Sequence, residues 1–145
     1  MFKKVIINAD GGARGNPGPS AIGGVIREGD KVLCSYSETI GVGTNNEAEY
    51  KSLLMALEKA CQYTNNEVDV FMDSLLVVKQ MRGEWAVNSV RLNELFLEAK
   101  DKEKRFKIVR FEHVPRTDVF QSKADILVNK ALDEDDNTKK VRKRK

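Results

Sequence analysis

The sequence predicts an α/β fold, and three observations support this prediction. Near the N-terminus, three short segments rich in β-branched residues are separated only by turn residues, which is typical of an antiparallel meander. Helical patterns then alternate with two further strand patterns. Two of the strand patterns end at an aspartate, which would place carboxylates at the edge of a sheet. A chain of 145 residues with 41% hydrophobic residues is long enough for one domain with a sizeable core.

The first three strands are predicted over residues 5–10, 21–26 and 31–37. The first is a run of valine and isoleucine that stops at Asp10, and a glycine-rich loop follows it. A carboxylate at the edge of an apolar interior is costly unless a cation meets it. Glycines beside it would let another backbone, such as a nucleic-acid strand, approach closely. The structural alternative is that Asp10 simply forms a turn.

A helix is predicted from Asn45 to about Tyr63. Thr44 and Glu47 have the spacing of a capping box, which gives Glu47 a structural role. Glu49 lies instead on the flank of the apolar face, so it is the functional candidate of the two glutamates. An acid in the first turn can also merely complement the helix dipole.

The fourth strand is predicted over residues 67–74 and again ends at an aspartate, Asp73. If strands one and four are parallel neighbours joined by a helical crossover, Asp10 and Asp73 meet at the same edge, where open α/β sheets bind ligands. The alternative is that Asp73 or Ser74 caps the next helix, predicted over residues 75–81.

The remaining elements are a helix over residues 89–104, a strand over residues 106–114 and a last helix over residues 121–132. Asp125 lies in the predicted first turn of that helix, three residues after Ser122, and an ordinary cap pair is its structural alternative. Residues 133–145 have little apolar content, so we expect a disordered tail after a domain spanning residues 1–132.

Charge alone does not indicate a nucleic-acid partner. The tail holds six bases and four acids, and the rest of the chain holds nineteen bases and eighteen acids. No apolar run approaches the length of about 18 residues that a membrane span needs. No secretory signal is visible, and Cys34 and Cys61 lack metal-ligand spacing. These features predict reduced thiols, a cytoplasmic location and no membrane partner.

Four acids at the ends of elements, Asp10, Glu49, Asp73 and Asp125, are therefore expected to converge on one edge of the sheet. Their mutual repulsion would require divalent cations, and oxygen-only ligands favour Mg²⁺ or Mn²⁺ over zinc. Two such ions assist in-line displacement at phosphorus, one by activating water and the other by stabilising the leaving oxygen. The residues by themselves thus indicate metal-dependent phosphoryl chemistry.

At these residues the sequence resembles type 1 ribonuclease H over about residues 3–132. The motifs that carry the resemblance are Asp10-Gly11-Gly12, Asn16-Pro17-Gly18, Thr44-Asn45-Asn46-Glu47-Ala48-Glu49-Tyr50, Met72-Asp73-Ser74 and Ala124-Asp125. The resemblance implies a ribonuclease H-like fold, with a five-stranded mixed sheet in the order 3-2-1-4-5 flanked by helices. It also implies Mg²⁺-dependent cleavage of the RNA strand of RNA–DNA hybrids, which leaves 5′-phosphate and 3′-hydroxyl ends.

The resemblance also implies roles for individual residues. Asp10, Glu49, Asp73 and Asp125 would be the catalytic metal ligands, with Asp10 bridging two ions and Glu49 also touching a ribose 2′-hydroxyl. The backbone from Gly11 through Gly12 to Ala13 would read further 2′-hydroxyls. The other implied contacts are Asn16, Asn45 and Asn46 with the minor groove of the hybrid and Thr44 with a DNA phosphate.

The chain departs from the family pattern at several positions. Residues 115–124 lack the histidine that many members carry before the last aspartate, so the chain is similar to a variant in which Arg116 occupies that neighbourhood. His113 lies too early to replace the missing histidine. Leu75 and Gln121 stand where a polar residue and an asparagine are usual. The basic helical protrusion of some members is also missing, and the basic tail, from Lys139 to Lys145, is a candidate phosphate contact in its place.

Three other functions remain compatible with the sequence. The first is a module that binds RNA–DNA hybrids without cleaving them, although such a module needs no set of four acids. The second is a nuclease that also cleaves RNA–RNA duplexes. The third is an integrase or resolvase of the same fold, although these lack the Thr-Asn-Asn-Glu motif. The sequence indicates no obligate protein partner, and fold alone does not separate these functions.

Overall fold

The computed structural model describes residues 1–144, and side chains within residues 1–140. Three strands form the predicted antiparallel meander: β1 (Lys4–Ala13), β2 (Gly18–Glu28) and β3 (Lys31–Gly43). Ile7 of β1 pairs with Ile26 of β2, which in turn pairs with Cys34 of β3. A two-residue turn at Gly29 and Asp30 joins β2 to β3, and Gly29 has a positive φ of 54° there.

Two parallel strands complete the sheet on the other side of β1. β4 (Glu67–Met72) lies beside β1 from the Lys4–Glu67 pair to the Ala9–Met72 pair, and β5 (Ile108–His113) lies beside β4. The strand order is β3-β2-β1-β4-β5, so the five-stranded mixed sheet of the ribonuclease H-like fold is confirmed.

Helices cover both faces of the sheet. The helices are α1 (Asn45–Ala60), α2 (Leu75–Met81), α3 (Val90–Glu103) and α4 (Val119–Arg144). Valines, isoleucines and alanines of β1 and β4 pack with the buried side chains of α1, α2 and α3 in the main core. α4 covers the opposite face, where Ala21 of β2 packs with Val128, Ala131 and Leu132 in a smaller cluster. Within the described residues, no helix has the length and apolar character needed to cross a membrane.

Several elements differ in length from their prediction. β1 does not stop at Asp10 but continues to Ala13, because the glycines pair with β2: Gly11 faces Ile22 and Gly12 faces Ala21. β2 and β3 are likewise longer than expected. α1 ends at Ala60 rather than near Tyr63, and residues 61–63 form a turn.

The last helix differs most from its prediction. It begins at Val119, because the Asp118 carboxylate accepts hydrogen bonds from the backbone of Phe120 (3.2 Å) and Gln121 (3.1 Å). The alternative in which Ser122 and Asp125 form the cap pair is therefore wrong.

In the structure, α4 also continues to Arg144, across the segment expected to be a disordered tail. Acid-to-base pairs four residues apart join Asp135 to Lys139 (3.1 Å) and Asp136 to Lys140 (3.2 Å), and such pairs support an exposed helix. The prediction of disorder rested on the low apolar content of this segment and did not consider that its acids and bases lie four residues apart.

Candidate active site

Asp10 lies at a step in the sheet. The parallel pairing of β1 with β4 ends at Ala9, whereas the antiparallel pairing with β2 continues to Ala13. Beyond Ala9, one side of β1 therefore has no neighbouring strand, and Asp10 is the first residue beyond that point. Its side chain is buried, with the residue only 4% exposed. The Asp10 carboxylate therefore lies at the edge of the sheet, in the gap left where β1 continues beyond the end of β4.

Glu49 reaches this gap from α1, as the helical pattern predicts. The residue is buried, and its carboxylate accepts a hydrogen bond from the backbone N–H of Gly11. α1 lies close to β1 at this point. A Cβ on Gly11 would be only 2.3 Å from the backbone oxygen of Ala48, so a residue without a side chain is needed there. By contrast, Glu47 forms the capping box with Thr44 and pairs with Arg91. The capping role predicted for Glu47 is confirmed, and the functional role predicted for Glu49 stays a prediction.

Asp73 follows directly after β4 and faces the same gap. The capping role belongs to its neighbour, because the Ser74 hydroxyl accepts the backbone N–H of Val77 at 3.3 Å. One carboxylate oxygen each from Asp10, Glu49 and Asp73 lies within 4.8 Å of the other two. The structure therefore brings three of the four predicted acids together.

Asp125 lies on α4 beside this group but outside it. Arg116, which follows β5, connects the two: its Nε lies 3.4 Å from Asp73 Oδ2 and 3.9 Å from Asp125 Oδ1. Two depressions of about 260 and 220 Å³ meet at Asp10, and the first contains Glu49 and Asp73, whereas the second contains Asp125. The carboxylates thus line two adjoining depressions, which share Asp10 and Arg116 and are together called the groove.

Burial and mutual repulsion disturb the ionisation of the buried acids. Burial, and next the charge of Asp73, raise the pKa of Asp10 to about 8. Burial, and next the charge of Asp10, raise the pKa of Glu49 well above its ordinary value. Conversely, the charges of Asp125 and Asp73 raise the pKa of Arg116. Repulsion between these carboxylates is unfavourable, and a bound divalent cation would compensate it. Hard divalent cations prefer oxygen ligands, which these carboxylates supply.

The residues expected to contact substrate form one rim of the groove. The backbone N–H of Ala13 donates to Asn45 Oδ1 at 2.8 Å, and the backbone N–H of Asn45 donates to Asn16 Oδ1 at 3.1 Å. Asn46 lines the larger depression together with Gly11, and Gly12 lines the smaller one. Two hydrogen bonds therefore fix the glycine-rich end of β1 against the start of α1.

His113 and Gln121 lie close to Asp73, although neither was predicted as a site residue. His113 is exposed, and its Nε2 is 3.3 Å from the backbone oxygen of Asp73. The side chain of Gln121 is fully buried, and its Nε2 is 3.4 Å from Asp73 Oδ1. The sequence shows only that Asn8 is a polar residue within an apolar strand, and the structure reveals that its side chain meets Gln121 at 3.2 Å.

A comparison with protein families matches residues 8–131 to the family described as reverse transcriptase-like. Among curated proteins, a bifunctional protein of Mycobacterium tuberculosis is 42% identical over 132 residues, which cover 90% of this chain and 36% of that protein. The ribonuclease HI of Halobacterium salinarum is 40% identical over 126 residues, which cover 86% of this chain and 62% of that enzyme. The chain therefore spans about a third of the length of the mycobacterial relative.

Solved structures that resemble this chain are also ribonucleases H. The crystal structure of ribonuclease H1 from Halobacterium salinarum has a TM-score of 0.85 and 39% identity, and the match covers 90% of this chain and 98% of that chain. The LC11 ribonuclease H1 in complex with an RNA/DNA hybrid has a TM-score of 0.85 and 41% identity, with coverage of 90% and 97%. The family match over residues 8–131 includes Asp10, Glu49, Asp73 and Asp125.

Proposed function

Because this chain belongs to the ribonuclease H family, we propose that it hydrolyses the RNA strand of RNA–DNA hybrids. The observation that carries the proposal is the group of Asp10, Glu49 and Asp73, whose carboxylate oxygens converge within 4.8 Å in an open groove. A module that only binds hybrids has no need for such a group, because three acids in the groove weaken binding to a polyanion. A similar ribonuclease H1 binds an RNA/DNA hybrid, which supports the same substrate here.

In this proposal, two Mg²⁺ ions, or Mn²⁺ in their place, are the cofactors. Asp10, Glu49 and Asp73 would hold them, together with Asp125 from α4. When bound, the ions supply an activated water and stabilise the leaving oxygen, so that cleavage leaves 5′-phosphate and 3′-hydroxyl ends. The raised pKa of Asp10 fits this role, because an acid that is difficult to ionise alone becomes ionised when a cation binds.

The rim of the groove would select and orient the hybrid. The backbone of Gly11, Gly12 and Ala13 approaches the RNA strand, where it reads 2′-hydroxyls, and Glu49 also contacts one of them. Asn16 and Asn45 are already fixed to each other through the Asn45 backbone, so their amides are pre-positioned for the minor groove.

The DNA strand would meet the opposite end of this rim. Thr44, held by its capping box, contacts a DNA phosphate, and Asn46 beside it reaches the minor groove. Arg116 bridges Asp73 and Asp125 before substrate binds and then turns to the RNA phosphate. A cytoplasmic location, as expected from the sequence, stays a prediction.

Cleavage of duplexes with one labelled strand tests the proposal. RNA–DNA, RNA–RNA and DNA–DNA duplexes of one sequence are incubated with Mg²⁺ and, separately, with Mn²⁺, with Asp10→Asn as the control. We expect cuts in the RNA strand of the hybrid that Asp10→Asn abolishes. Cuts in RNA–RNA would widen the substrate class. Binding of the hybrid without cleavage in either metal would contradict the proposal and leave a binding module.

A further inference from the structure

Two amide side chains, Asn8 and Gln121, are fully buried beneath the acidic group. Asn8 lies in the middle of β1, and Gln121 lies in the first turn of α4, which covers that face of the sheet. Burying an amide is costly unless its hydrogen-bonding groups have partners, so the partners of these two residues indicate what they do.

The partners form a continuous chain from the surface to the active site. Arg27 Nε donates to Asn8 Oδ1 at 3.0 Å, and Asn8 Nδ2 donates to Gln121 Oε1 at 3.2 Å. Gln121 Nε2 then donates to the backbone oxygen of Ala9 at 2.8 Å and reaches Asp73 Oδ1 at 3.4 Å. One chain of side chains thus connects β2, β1 and α4 to the residue after β4.

The direction of these hydrogen bonds is fixed at the arginine. A guanidinium has only donors, so Asn8 must turn its oxygen towards Arg27 and its NH₂ group towards Gln121. Gln121 must then accept with its oxygen, which leaves its NH₂ group for Ala9 and Asp73. The amide orientations of asparagine and glutamine are often ambiguous, but here the Arg27 guanidinium at one end and the Ala9 carbonyl at the other are consistent with only one orientation of both.

Arg27 is itself held in place by two further contacts. Its Cζ lies 4.0 Å from the centre of the Phe120 ring, and its Nη1 donates to the backbone oxygen of Gly29 at 2.7 Å. Phe120 directly precedes Gln121, so the same helical turn fixes both ends of the chain of hydrogen bonds. The start of α4 therefore cannot shift without disturbing the contact with Asp73.

We propose that Gln121 is a positioning residue for Asp73, and that Arg27 acts through Asn8 to direct the Gln121 NH₂ group towards that carboxylate. Gln121 contacts Oδ1 from inside the protein, and Arg116 contacts Oδ2 from the groove. Asp73 is thereby oriented before a metal ion binds. The inference rests on the proposed metal-dependent function. Outer contacts of this kind orient metal ligands and strengthen metal binding.

Calorimetric titration of the full chain with Mn²⁺, in the absence of nucleic acid, tests the proposal. Gln121→Met keeps the length of the side chain but removes both hydrogen-bonding groups. We expect its dissociation constant for Mn²⁺ to rise about tenfold or more. The matched control is Ser37→Ala, which removes a different hydrogen bond between the sheet and α4, from Ser37 Oγ to the Leu127 backbone oxygen at 2.6 Å. The control should bind Mn²⁺ like the parent chain.

Asn8→Asp provides a second test that does not depend on the folding of Gln121→Met. The new carboxylate accepts from Arg27 but cannot donate to Gln121. The Gln121 amide then either turns its oxygen towards the new carboxylate or reverses and turns it towards Ala9 and Asp73, and both arrangements disturb its contact with Asp73. Added negative charge alone would strengthen Mn²⁺ binding, whereas loss of this contact weakens it. We expect weaker binding, by several-fold, and this direction distinguishes orientation from charge.

The outcomes separate the inference from the function on which it rests. If the parent chain binds Mn²⁺ and both variants bind it within about twofold of the parent, the positioning role is overturned while the metal site stands. If Ser37→Ala weakens binding as much as Gln121→Met, the effect belongs to helix docking, and the proposal fails. If the parent chain binds no Mn²⁺, the proposed function fails together with the inference.

Discussion

Gly11 faces the backbone carbonyl of Ala48 so closely that a Cβ built on Gly11 would lie 2.3 Å from its oxygen. Backbone atoms of a buried helix cannot yield as a flexible side chain can. The same approach lets Glu49 accept the N–H of Gly11. The contact between β1 and α1 therefore positions Glu49, and it restricts the position after Asp10 to glycine.

Gly11→Ala should consequently disturb both stability and the site. We expect a loss of at least about 2 kcal/mol in the free energy of unfolding, because overpacking against rigid backbone is destabilising. Gly12→Ala is the matched control, since its Cβ would meet only Val128 Cγ1 at 3.6 Å, and its stability should change by less than about 0.5 kcal/mol. Denaturant unfolding of the two variants measures the difference, and equal stability would contradict the geometric argument.

The stability of the metal-free protein should fall as the pH rises from about 4 to about 8. The pKa of Asp10 is about 8 in the folded protein against an ordinary value of 3.8, so in this range the folded state retains a proton that the unfolded state has released. Stability decreases with pH wherever the folded state binds more protons. The raised pKa of Glu49 acts in the same direction.

Melting temperatures in the presence of a chelator, measured at intervals between about pH 5 and pH 8, check this prediction. Asp10→Asn carries no titrating group at this position and should show a shallower decline and higher stability at about pH 8. Under the proposed function this variant should also lack cleavage activity. A parent chain whose stability is flat or rises over this range would show that the acids are not strained in the folded state.

Arg116→Ala should strengthen metal binding and slow turnover. The Arg116 guanidinium lies against Asp73 and Asp125, so it occupies the position of a cation beside the acids and competes with one. Because the residue is exposed, the expected gain in Mn²⁺ affinity is modest, on the order of threefold. Calorimetry measures the affinity, and cleavage with excess substrate measures the turnover rate. Arg116→Lys keeps the charge, so its affinity and rate should lie between those of the parent chain and Arg116→Ala. Weaker Mn²⁺ binding by Arg116→Ala would refute this role.

Deletion of residues 138–145 should weaken hybrid binding at low salt and leave the rate of the cleavage step unchanged. The deleted segment contains six of the chain's bases, and binding of bases to phosphates depends steeply on salt because it releases counterions. A salt titration of hybrid binding, performed in a chelator with both chains, should give a shallower dependence of affinity on salt for the shortened chain. Identical slopes would exclude the segment from substrate binding.

Local patterns were sufficient for the antiparallel meander and for placing Asp10 and Asp73 at one edge of the sheet, whereas the complete strand order was implied by the family resemblance. Short turns imply antiparallel neighbours, and Asp73 directly follows an apolar strand. Two features could not be predicted from the sequence. The continuation of β1 past Asp10 depends on β2 pairing with the glycines. The contact of Gln121 with Asp73 joins residues 48 positions apart and depends on how α4 docks. Periodicity carries no information about such docking.

The order in which the ligands occur along the chain has a consequence for protein synthesis. Asp10, Glu49 and Asp73 emerge from the ribosome first, but Asp125 and Gln121 belong to the last helix. A nascent chain that has reached only β5 exposes the surface that α4 later covers and lacks both residues. Under the proposed function, nuclease activity is thus delayed until α4 docks on the sheet, after all five strands have left the ribosome.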